Sequence, residues 1–394
     1  MDYCELSEAG DWRAAADARI EKFRKRGLEL KVVDNNGAKV VGANIELNQQ
    51  RHHFGFGTAI SELLVSDPTY RQFFLDTFEW AVFENQTKWS WNEAQQGQLD
   101  YAAADLMLAI CEQNQIPVRG HCGFWAVEQF VQSWVKQLDN AALVQAMMNR
   151  ISSVGGRYAG KFEHWDVNNE MLHGSWYGDR LGKAAGAEMF KEFRKVDPAA
   201  RLFVNDYSVV SGGRTADYLR QIADLVGAGA AVGGIGAQCH FWSEPIPTLI
   251  YARLDQLAAT GLPVWVTEFD VADPDQHQRA DQLESFYRIA FSHPGVDGIM
   301  MWGFWAGAHW RGADAALVNL DWTINAAGQR YLDLMDEWST AAAGLTGANG
   351  RFDLRAFHGE FDVLVTPPGG GAAQQFAVQL KPGNGPKRVV LHLQ

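Results

Sequence analysis

The feature that most constrains the fold is a regular alternation of short apolar runs with helical segments between residues 52 and 338. Eight runs have strand-like composition, and glycines such as Gly227 and Gly261 end the helical segments between them. The runs are HFGFGTA (53–59), AVFENQTKW (81–89), IPVRGHC (116–122), FEHWDVNNE (162–170), RLFVNDYS (201–208), VGGIGAQCH (232–240), PVWVTEFDV (263–271) and VDGIMMWGFW (296–305). Eight such units predict an α/β protein with a (β/α)8 TIM barrel. A doubly wound sheet is the alternative, but FGFGTAISE lacks the glycine spacing of its phosphate loop.

The segments outside this region have the pattern of β structure. Residues 28–50 form two alternating stretches around Asn36-Gly37, which predicts a β-hairpin, and residues 339–394 contain four alternating apolar runs. Because four strands bury little apolar area alone, we predict that the N-terminal hairpin packs on the C-terminal module and completes a small β-sandwich. The predicted domains are an N-terminal segment (1–51), a barrel (52–338) and a small β module (339–394).

Composition excludes several classes of function. The chain has 34 Lys and Arg against 47 Asp and Glu, and its net charge of −13 disfavours nucleic acid as a partner. No stretch approaches the roughly 18 apolar residues of a membrane span, so no membrane partner is expected. Cys4, Cys111, Cys122 and Cys239 lack metal-site spacing, which predicts buried free thiols. The 15 tryptophans exceed what packing needs and favour a groove for flat ligands such as sugars.

Two carboxylates lie where a barrel of this kind places its reactive groups, at the C-terminal ends of strands. Glu170 ends the fourth predicted strand and Glu268 lies in the seventh, on the opposite side of the barrel mouth. Either residue alone is equally explained as a solvated charge. Together, without a metal-ligand set, they are typical of glycoside hydrolysis, in which one acts as the proton donor and the other as nucleophile or base.

His240 and Asp270 extend this pair. Asp270 shares the strand face of Glu268, and the sixth strand places His240 alongside, so a Glu–His–Asp relay is predicted. Such hydrogen bonds favour an ionised Glu268, whereas we expect a raised pKa for Glu170, flanked by amides and tryptophan.

Other strand ends carry groups suited to sugars. Donors and acceptors for hydroxyl groups come from Glu84, Asn85, Lys88 and His121. Trp302 and Trp310 flank a Gly-rich loop after the last strand and are predicted to pack against sugar rings.

The chain resembles glycoside hydrolase family 10, the endo-β-1,4-xylanase family, over nearly the whole barrel. Seven segments match in order: ENQTKW (84–89), RGHCGFW (119–125), HWDVNNE (164–170), LFVNDY (202–207), GIGAQCH (234–240), WVTEFDV (265–271) and WGFWAGAHWR (302–311). The resemblance implies that Glu170 is the acid/base and Glu268 the nucleophile. One departure is Ala126, because family members usually carry histidine directly after the tryptophan that is Trp125 here.

The resemblance also implies a set of substrate contacts. Asn169 would hold the 2-hydroxyl of the sugar being cleaved, Trp310 would cover the cleavage point, and Tyr207 would face the leaving group. The catalytic subsite would be lined by Lys88, His121, Gln238 and His240. The next sugar towards the non-reducing end would contact Glu84, Asn85 and Trp302. Trp125 is assigned to the same substrate-binding set.

The sequence therefore predicts a retaining endo-β-1,4-xylanase that cleaves internal bonds of xylan by double displacement, without cofactor or metal, and as a monomer. The alternatives are a relative acting on another β-glycoside, which Ala126 favours, and an inactive carbohydrate-binding barrel. A metal-dependent hydrolase would need an HxH pair, whereas His52 and His53 are adjacent at the start of the first predicted strand. A polysaccharide substrate favours an extracellular or periplasmic location, although the acidic N-terminus lacks the pattern of an export signal.

Overall fold

The computed structural model of the protein describes residues 12–394, which divide into two units. One unit contains the chain up to Gly55 together with Phe291–Pro294 and Tyr331–Gln394, and the other contains Phe56–Ala290 and Gly295–Arg330. Within the described part of the chain, no helix combines the length and apolar character needed to cross a membrane. Cys111, Cys122 and Cys239 are buried free thiols, while Cys4 lies outside the described residues.

The described residues begin with helix α1 (Trp12–Phe23), which is followed by strands β1 (Lys25–Val33) and β2 (Asn44–His52). The helix was not predicted, and it buries only Ala16 and Ile20, which lie four residues apart on one face. The predicted turn does form, with Gly37 at φ +77°.

The predicted hairpin, however, is wrong. The strands β1 and β2 belong to different sheets, and beyond the turn only a single bridge joins Val33 to Lys39. The reason is that both strands carry buried apolar residues, and separate sheets let them face one core from two sides.

Eight parallel strands form the closed barrel, which confirms the predicted fold class. The strands of this sheet are β3 (Gly55–Ile60), β4 (Trp80–Phe83), β5 (Val118–Gly120), β6 (Phe124–Trp125), β7 (His164–Asn169), β8 (Arg201–Asp206), β9 (Gly234–Phe241), β10 (Val264–Val271) and β11 (Val296–Met301). Their order is β5-β4-β3-β11-β10-β9-β8-β7, and a β5–β7 pairing closes the ring. The two-residue strand β6 pairs with β7 as an addition that was not predicted. The first barrel strand begins at Gly55, so His52 ends β2 and does not begin the barrel, contrary to prediction.

The helices α2–α13 lie between and after the barrel strands. They are α2 (Leu63–Ser66), α3 (Pro68–Thr77), α4 (Trp89–Asn92), α5 (Ala102–Gln113), α6 (Ser133–Lys136), α7 (Asn140–Arg150), α8 (Trp176–Leu181), α9 (Ala185–Val196), α10 (Thr215–Gly227), α11 (Pro247–Ala258), α12 (Gln276–Ser292) and α13 (Ala326–Glu337). Local signals explain several boundaries. For example, Asp67 caps α3 by accepting hydrogen bonds from two backbone amides, and Pro68 occupies its first turn.

Barrel strands are buried on both faces, which is why they appear in the sequence as apolar runs rather than as alternating patterns. Every residue of β7 and of β10 is buried. Polar residues at the ends of such strands are therefore held rigidly at the barrel mouth.

The terminal unit is a two-sheet sandwich, which confirms the predicted sharing of one module by both ends of the chain. Its C-terminal strands are β12 (Ala341–Leu345), β13 (Arg351–Phe357), β14 (Gly359–Thr366), β15 (Gln374–Leu380) and β16 (Lys387–His392). The sheets have the orders β13-β1-β16 and β12-β2-β14-β15. Residues from both termini, such as Leu30, Ile45 and Val363, form one buried core. Strand β12 was not among the four predicted, since its sequence AAAGL shows no apolar alternation.

Candidate active site

A cavity of about 550 Å³ lies at the C-terminal ends of the barrel strands. Twelve predicted site residues line it: Glu84, Lys88, His121, Trp125, Asn169, Glu170, Tyr207, Gln238, His240, Glu268, Trp302 and Trp310. The two other predicted residues, Asn85 and Asp270, contact lining residues without lining the cavity themselves. The structure thus brings the whole predicted set into one region.

Glu268 is held by hydrogen bonds to both carboxylate oxygens. Asn205 Nδ2 donates to Oε1 at 2.9 Å, and His240 Nε2 lies 3.2 Å from Oε2. On its other side, His240 Nδ1 lies 2.9 Å from Asp270 Oδ2. Strand register explains why Glu268, His240 and Asp270 follow one another, because β9 and β10 are parallel and pair His240 with Asp270. Asp270 is in turn bound by Arg311 and by Trp310 Nε1.

These contacts determine the charge of Glu268. Burial alone would raise its pKa, but the hydrogen bond from His240, the charges of His121 and His240 and the hydrogen bond from Asn205 outweigh burial, so the pKa is lowered. Burial would likewise lower the pKa of His240, yet the charge and hydrogen bond of Asp270, with those of Glu268, raise it to about 10. Near neutral pH, Glu268 is therefore a carboxylate beside an imidazolium.

Glu170 follows the last residue of β7 in a left-handed conformation, with φ +59°. This conformation costs a non-glycine residue about 1–2 kcal/mol, so it needs support from its surroundings. The backbone supplies it, because the Glu170 amide donates to Asn205 O at 2.9 Å and its carbonyl accepts from the Gly174 amide at 2.8 Å. The side chain accepts hydrogen bonds from Trp125 Nε1 (2.8 Å) and Gln238 Nε2 (3.2 Å).

The pKa of Glu170 is raised, opposite to that of Glu268. Burial is the main cause, and the charge of Glu268 adds to it, whereas the hydrogen bonds from Trp125 and Gln238 act in the lowering direction. The predicted direction was correct, but the predicted cause was wrong, since the neighbouring amide and indole donors stabilise the ionised form. One cavity thus contains two carboxyls whose pKa values are shifted in opposite directions, so Glu170 keeps its proton to higher pH than Glu268 does.

Asn169 is oriented by two amide side chains. Its Oδ1 accepts from Asn205 Nδ2 at 2.9 Å and from Gln238 Nε2 at 3.3 Å. Its buried Nδ2 has no hydrogen-bond partner among the described residues. An unsatisfied donor lining the cavity is suited to a ligand oxygen such as a sugar hydroxyl.

Polar networks fix the side chains that follow β4 and β5. Lys88 Nζ donates to Asn85 Oδ1 at 2.9 Å and lies 4.8 Å from the ring centre of Trp125. His121 Nδ1 lies 3.1 Å from Asp166 Oδ2, and Arg119 binds the other oxygen of the same carboxylate. Asn85 and Asp166 therefore orient the lysine and histidine that line the cavity.

The predicted aromatic residues differ in exposure. Trp302 is 7% exposed and packs in the barrel core as well as edge-on against His121, at 5.1 Å between ring centres. Trp310 is 51% exposed. Tyr207 stacks on His173 at 3.6 Å, and His173 Nδ1 lies 2.6 Å from Asp206 Oδ1.

Sequence reasoning missed several contributors. Asn205 is the second-last residue of β8, inside the LFVNDY segment, so the rule that reactive groups lie at strand ends could have identified it. The lining residues that were not predicted lie outside the barrel strands: Gln129, Phe130, Ser208, Ser211 and Trp242. Phe130 stacks on Trp125 at 3.7 Å, a contact without a local sequence signal. Ala126, which stands where family members usually carry histidine, is buried and does not line the cavity. Its amide donates to Asn169 O at 2.9 Å.

Comparisons with known proteins agree with this architecture. The anti-sigma-I factor RsgI6 of Acetivibrio thermocellus is 43% identical over 374 residues, covering 95% of this chain and 49% of that protein. Endo-1,4-beta-xylanase 1 of Arabidopsis thaliana is 43% identical over 351 residues, covering 88% of this chain and 37% of that protein. The chain thus spans half or less of the length of these two relatives.

Solved structures share the fold at lower identity. A GH10 endoxylanase from a sugarcane soil metagenome has a TM-score of 0.66 and 22% identity, covering 72% of this chain and 96% of that one. Xylanase 10B from Thermotoga petrophila RKU-1, in complex with xylobiose, has a TM-score of 0.66 and 21% identity, covering 72% and 94% of the two chains. The sequence profile described as Glycosyl hydrolase family 10 matches residues 46–329, the greater part of the chain. The chain belongs to glycosyl hydrolase family 10.

Proposed function

We propose that this chain is a retaining endo-β-1,4-xylanase in which Glu268 is the nucleophile and Glu170 the acid/base. The observation that carries the proposal is the placement of two hydrogen-bonded carboxyls in one cavity, and the directions of their pKa shifts, raised for Glu170 and lowered for Glu268, agree with it. Glycoside cleavage needs one group that can give a proton and one that is already ionised. Family membership and the xylanase relatives support the substrate class.

In the first step, Glu268 attacks the anomeric carbon while Glu170 protonates the glycosidic oxygen. The new bond joins the carboxylate oxygen to the sugar, and the bond to the leaving sugar breaks. His240 holds the attacking carboxylate in place and keeps it ionised. We expect the two carboxyls to lie about 5–5.5 Å apart, because attack leaves no room for a water molecule.

The second step reverses the role of Glu170. Once Glu268 is esterified, it no longer carries the negative charge that contributes to the raised pKa of Glu170. The deprotonated Glu170 is then stabilised by the hydrogen bonds from Trp125 and Gln238. It accepts a proton from a water molecule, whose oxygen attacks the anomeric carbon and releases Glu268.

The remaining proposals concern the substrate and its setting. Asn169 Nδ2 is suited to a hydroxyl of the sugar being cleaved, and Lys88 and His121 add donors beside it. The partner is xylan or a xylo-oligosaccharide, and the protein acts as a monomer without nucleic acid or membrane. Because intact xylan stays outside cells, an extracellular or periplasmic location is proposed.

Azide distinguishes the two carboxylates. With an aryl β-xylobioside whose leaving group needs no proton, Glu170→Ala still forms the glycosyl-enzyme, and azide should then release it as the β-glycosyl azide. Glu268→Ala has no nucleophile, so azide can attack only the substrate and gives the α product. NMR of the products makes the distinction, with the wild-type enzyme as control.

Two results would contradict the assignments. Swapped product configurations would exchange the roles of Glu170 and Glu268. A first-formed α-anomer from the wild-type enzyme would replace the retaining mechanism by an inverting one.

A second candidate function is an inactive carbohydrate-binding barrel, since one relative is named as an anti-sigma factor and not as an enzyme. Both carboxylates and the His240–Asp270 pair are present, an arrangement that binding alone does not require. Release of reducing sugars from xylan, but not from glucan or mannan, would support the xylanase; binding without release would support the second candidate.

A further inference from the structure

Trp242 is an exposed tryptophan beside the reacting groups. It follows the last residue of β9, lines the cavity, and has 77% of its surface exposed. Exposing so large an apolar side chain to water is unfavourable, so a ligand that covers the indole would be stabilised by the apolar area it buries.

Arg311 backs this ring from the protein side. Its guanidinium carbon lies 3.7 Å from the ring centre of Trp242, and its side chain is only 3% exposed. Arg311 Nη1 donates to the carbonyl of Phe241 at 2.8 Å and binds Asp270 as an ion pair. The guanidinium is therefore anchored both to the residue before Trp242 and to the neighbouring strand, and it fixes the plane of the indole.

The indole of Trp242 lies on the β9 side of the cavity. In the ring of eight strands, β9 is four strands from β4, which carries Glu84 and Lys88 just beyond its end. Trp242 therefore lies across the barrel mouth from these two residues. Ser208 and Ser211, which follow β8 in the chain, add hydroxyl groups to the cavity wall.

We propose that Trp242, held flat by Arg311, is a stacking subsite for a sugar in the leaving-group half of a β-linked chain. The proposal rests on the proposed function and on the expectation that Glu84 contacts the next sugar towards the non-reducing end, which leaves the opposite side of the mouth for the leaving-group half. A sugar ring presents C–H groups to an aromatic face, and the serine hydroxyls suit its polar rim. Because the guanidinium already fixes the indole, little side-chain freedom is lost when the sugar binds.

The test compares two substrates in Trp242→Ala and Trp242→Phe. Xylohexaose labelled at its reducing end places sugars on both sides of the cut, whereas an aryl β-xylobioside has no sugar in the leaving-group half. We expect Trp242→Ala to lower kcat/KM for xylohexaose by about tenfold more than for the aryl substrate. The cut should also move towards the labelled end, because fewer sugars are held beyond it. Trp242→Phe should restore most of the preference.

The matched control is Trp91→Ala. Trp91 is likewise an exposed tryptophan but does not line the cavity, so both substrates should react with Trp91→Ala as with the wild-type enzyme. Equal losses on the two substrates, or an unchanged cleavage position in Trp242→Ala, would overturn the subsite. Failure of the proposed function is distinguishable, because the wild-type enzyme would then cleave neither substrate.

Discussion

Replacing Trp125 by phenylalanine tests how the acidity of Glu170 is controlled. The indole Nε1 donates to Glu170 Oε2 at 2.8 Å, and the same ring stacks on Phe130 at 3.7 Å. Phenylalanine keeps an aromatic ring for the stack but removes the donor. Since the lost bond stabilises the ionised carboxylate, the pKa of Glu170 should rise.

The expected magnitude follows from the burial of the acceptor. Glu170 is only 9% exposed, so water replaces the lost donor poorly. A hydrogen bond to a charged group contributes about 1.5–3 kcal/mol, and about 1.4 kcal/mol corresponds to a tenfold change in an acid dissociation constant. Because Gln238 still donates to the same carboxylate, we expect the lower end of this range, a displacement of about one pH unit.

The assay is the pH dependence of kcat/KM on an aryl β-xylobioside whose leaving group requires protonation. Its basic limb reports the acid of the free enzyme, so it should move to higher pH in Trp125→Phe. The control is Trp89→Phe, which removes a hydrogen bond of the same length, 2.8 Å, to the carboxylate of Glu93 outside the cavity. A basic limb that stays in place, or moves equally in both variants, would refute the role given to Trp125.

Three further predictions concern charge, sugar binding and stability. Asp270→Asn removes the main group that raises the pKa of His240, so an NMR titration of this imidazole should show a lower pKa than in the wild-type enzyme, and an unchanged titration would contradict the role given to Asp270. Trp310→Ala should raise KM for xylohexaose more than Trp310→Phe does, and equal values in steady-state kinetics would argue against stacking. Leu380→Ala, at a fully buried position of the sandwich, should cost about 2–5 kcal/mol in urea unfolding. Leu364→Ala, 36% exposed in the same sheet, is its control and should cost less than about 1 kcal/mol, whereas equal costs would contradict the sandwich core.

The barrel was predictable because its signals are local. A parallel strand covered on both faces must be apolar along its whole length, and a helix ending at Gly227 or just before Gly261 carries its own stop signal. Chain order then places Glu170 and Glu268 on opposite sides of one mouth, since consecutive strands of such a barrel are neighbours.

Sheet partnership in the terminal unit was only partly predictable. The alternating pattern identified β1 and β2 as strands, and the turn at Gly37 formed. Which strands pair depends on contacts hundreds of residues apart, such as the register of Leu28 with Leu354. A local hairpin signal carries no information about such partners, so the pairing followed the shared core instead.

The sequence by itself determined that the polar residues at the strand ends, Glu170 and Glu268 among them, meet at the barrel mouth, because the position of a residue at a strand end is a property of the chain. Only the tertiary structure decided their states. Asn205 bridges Asn169 to Glu268, and burial, rather than adjacent residues in the chain, raises the pKa of Glu170. Likewise, Trp242 and Arg311 are far apart in sequence and meet at 3.7 Å. Desolvation and side-chain contacts depend on the whole surrounding volume, which no local pattern of residues encodes.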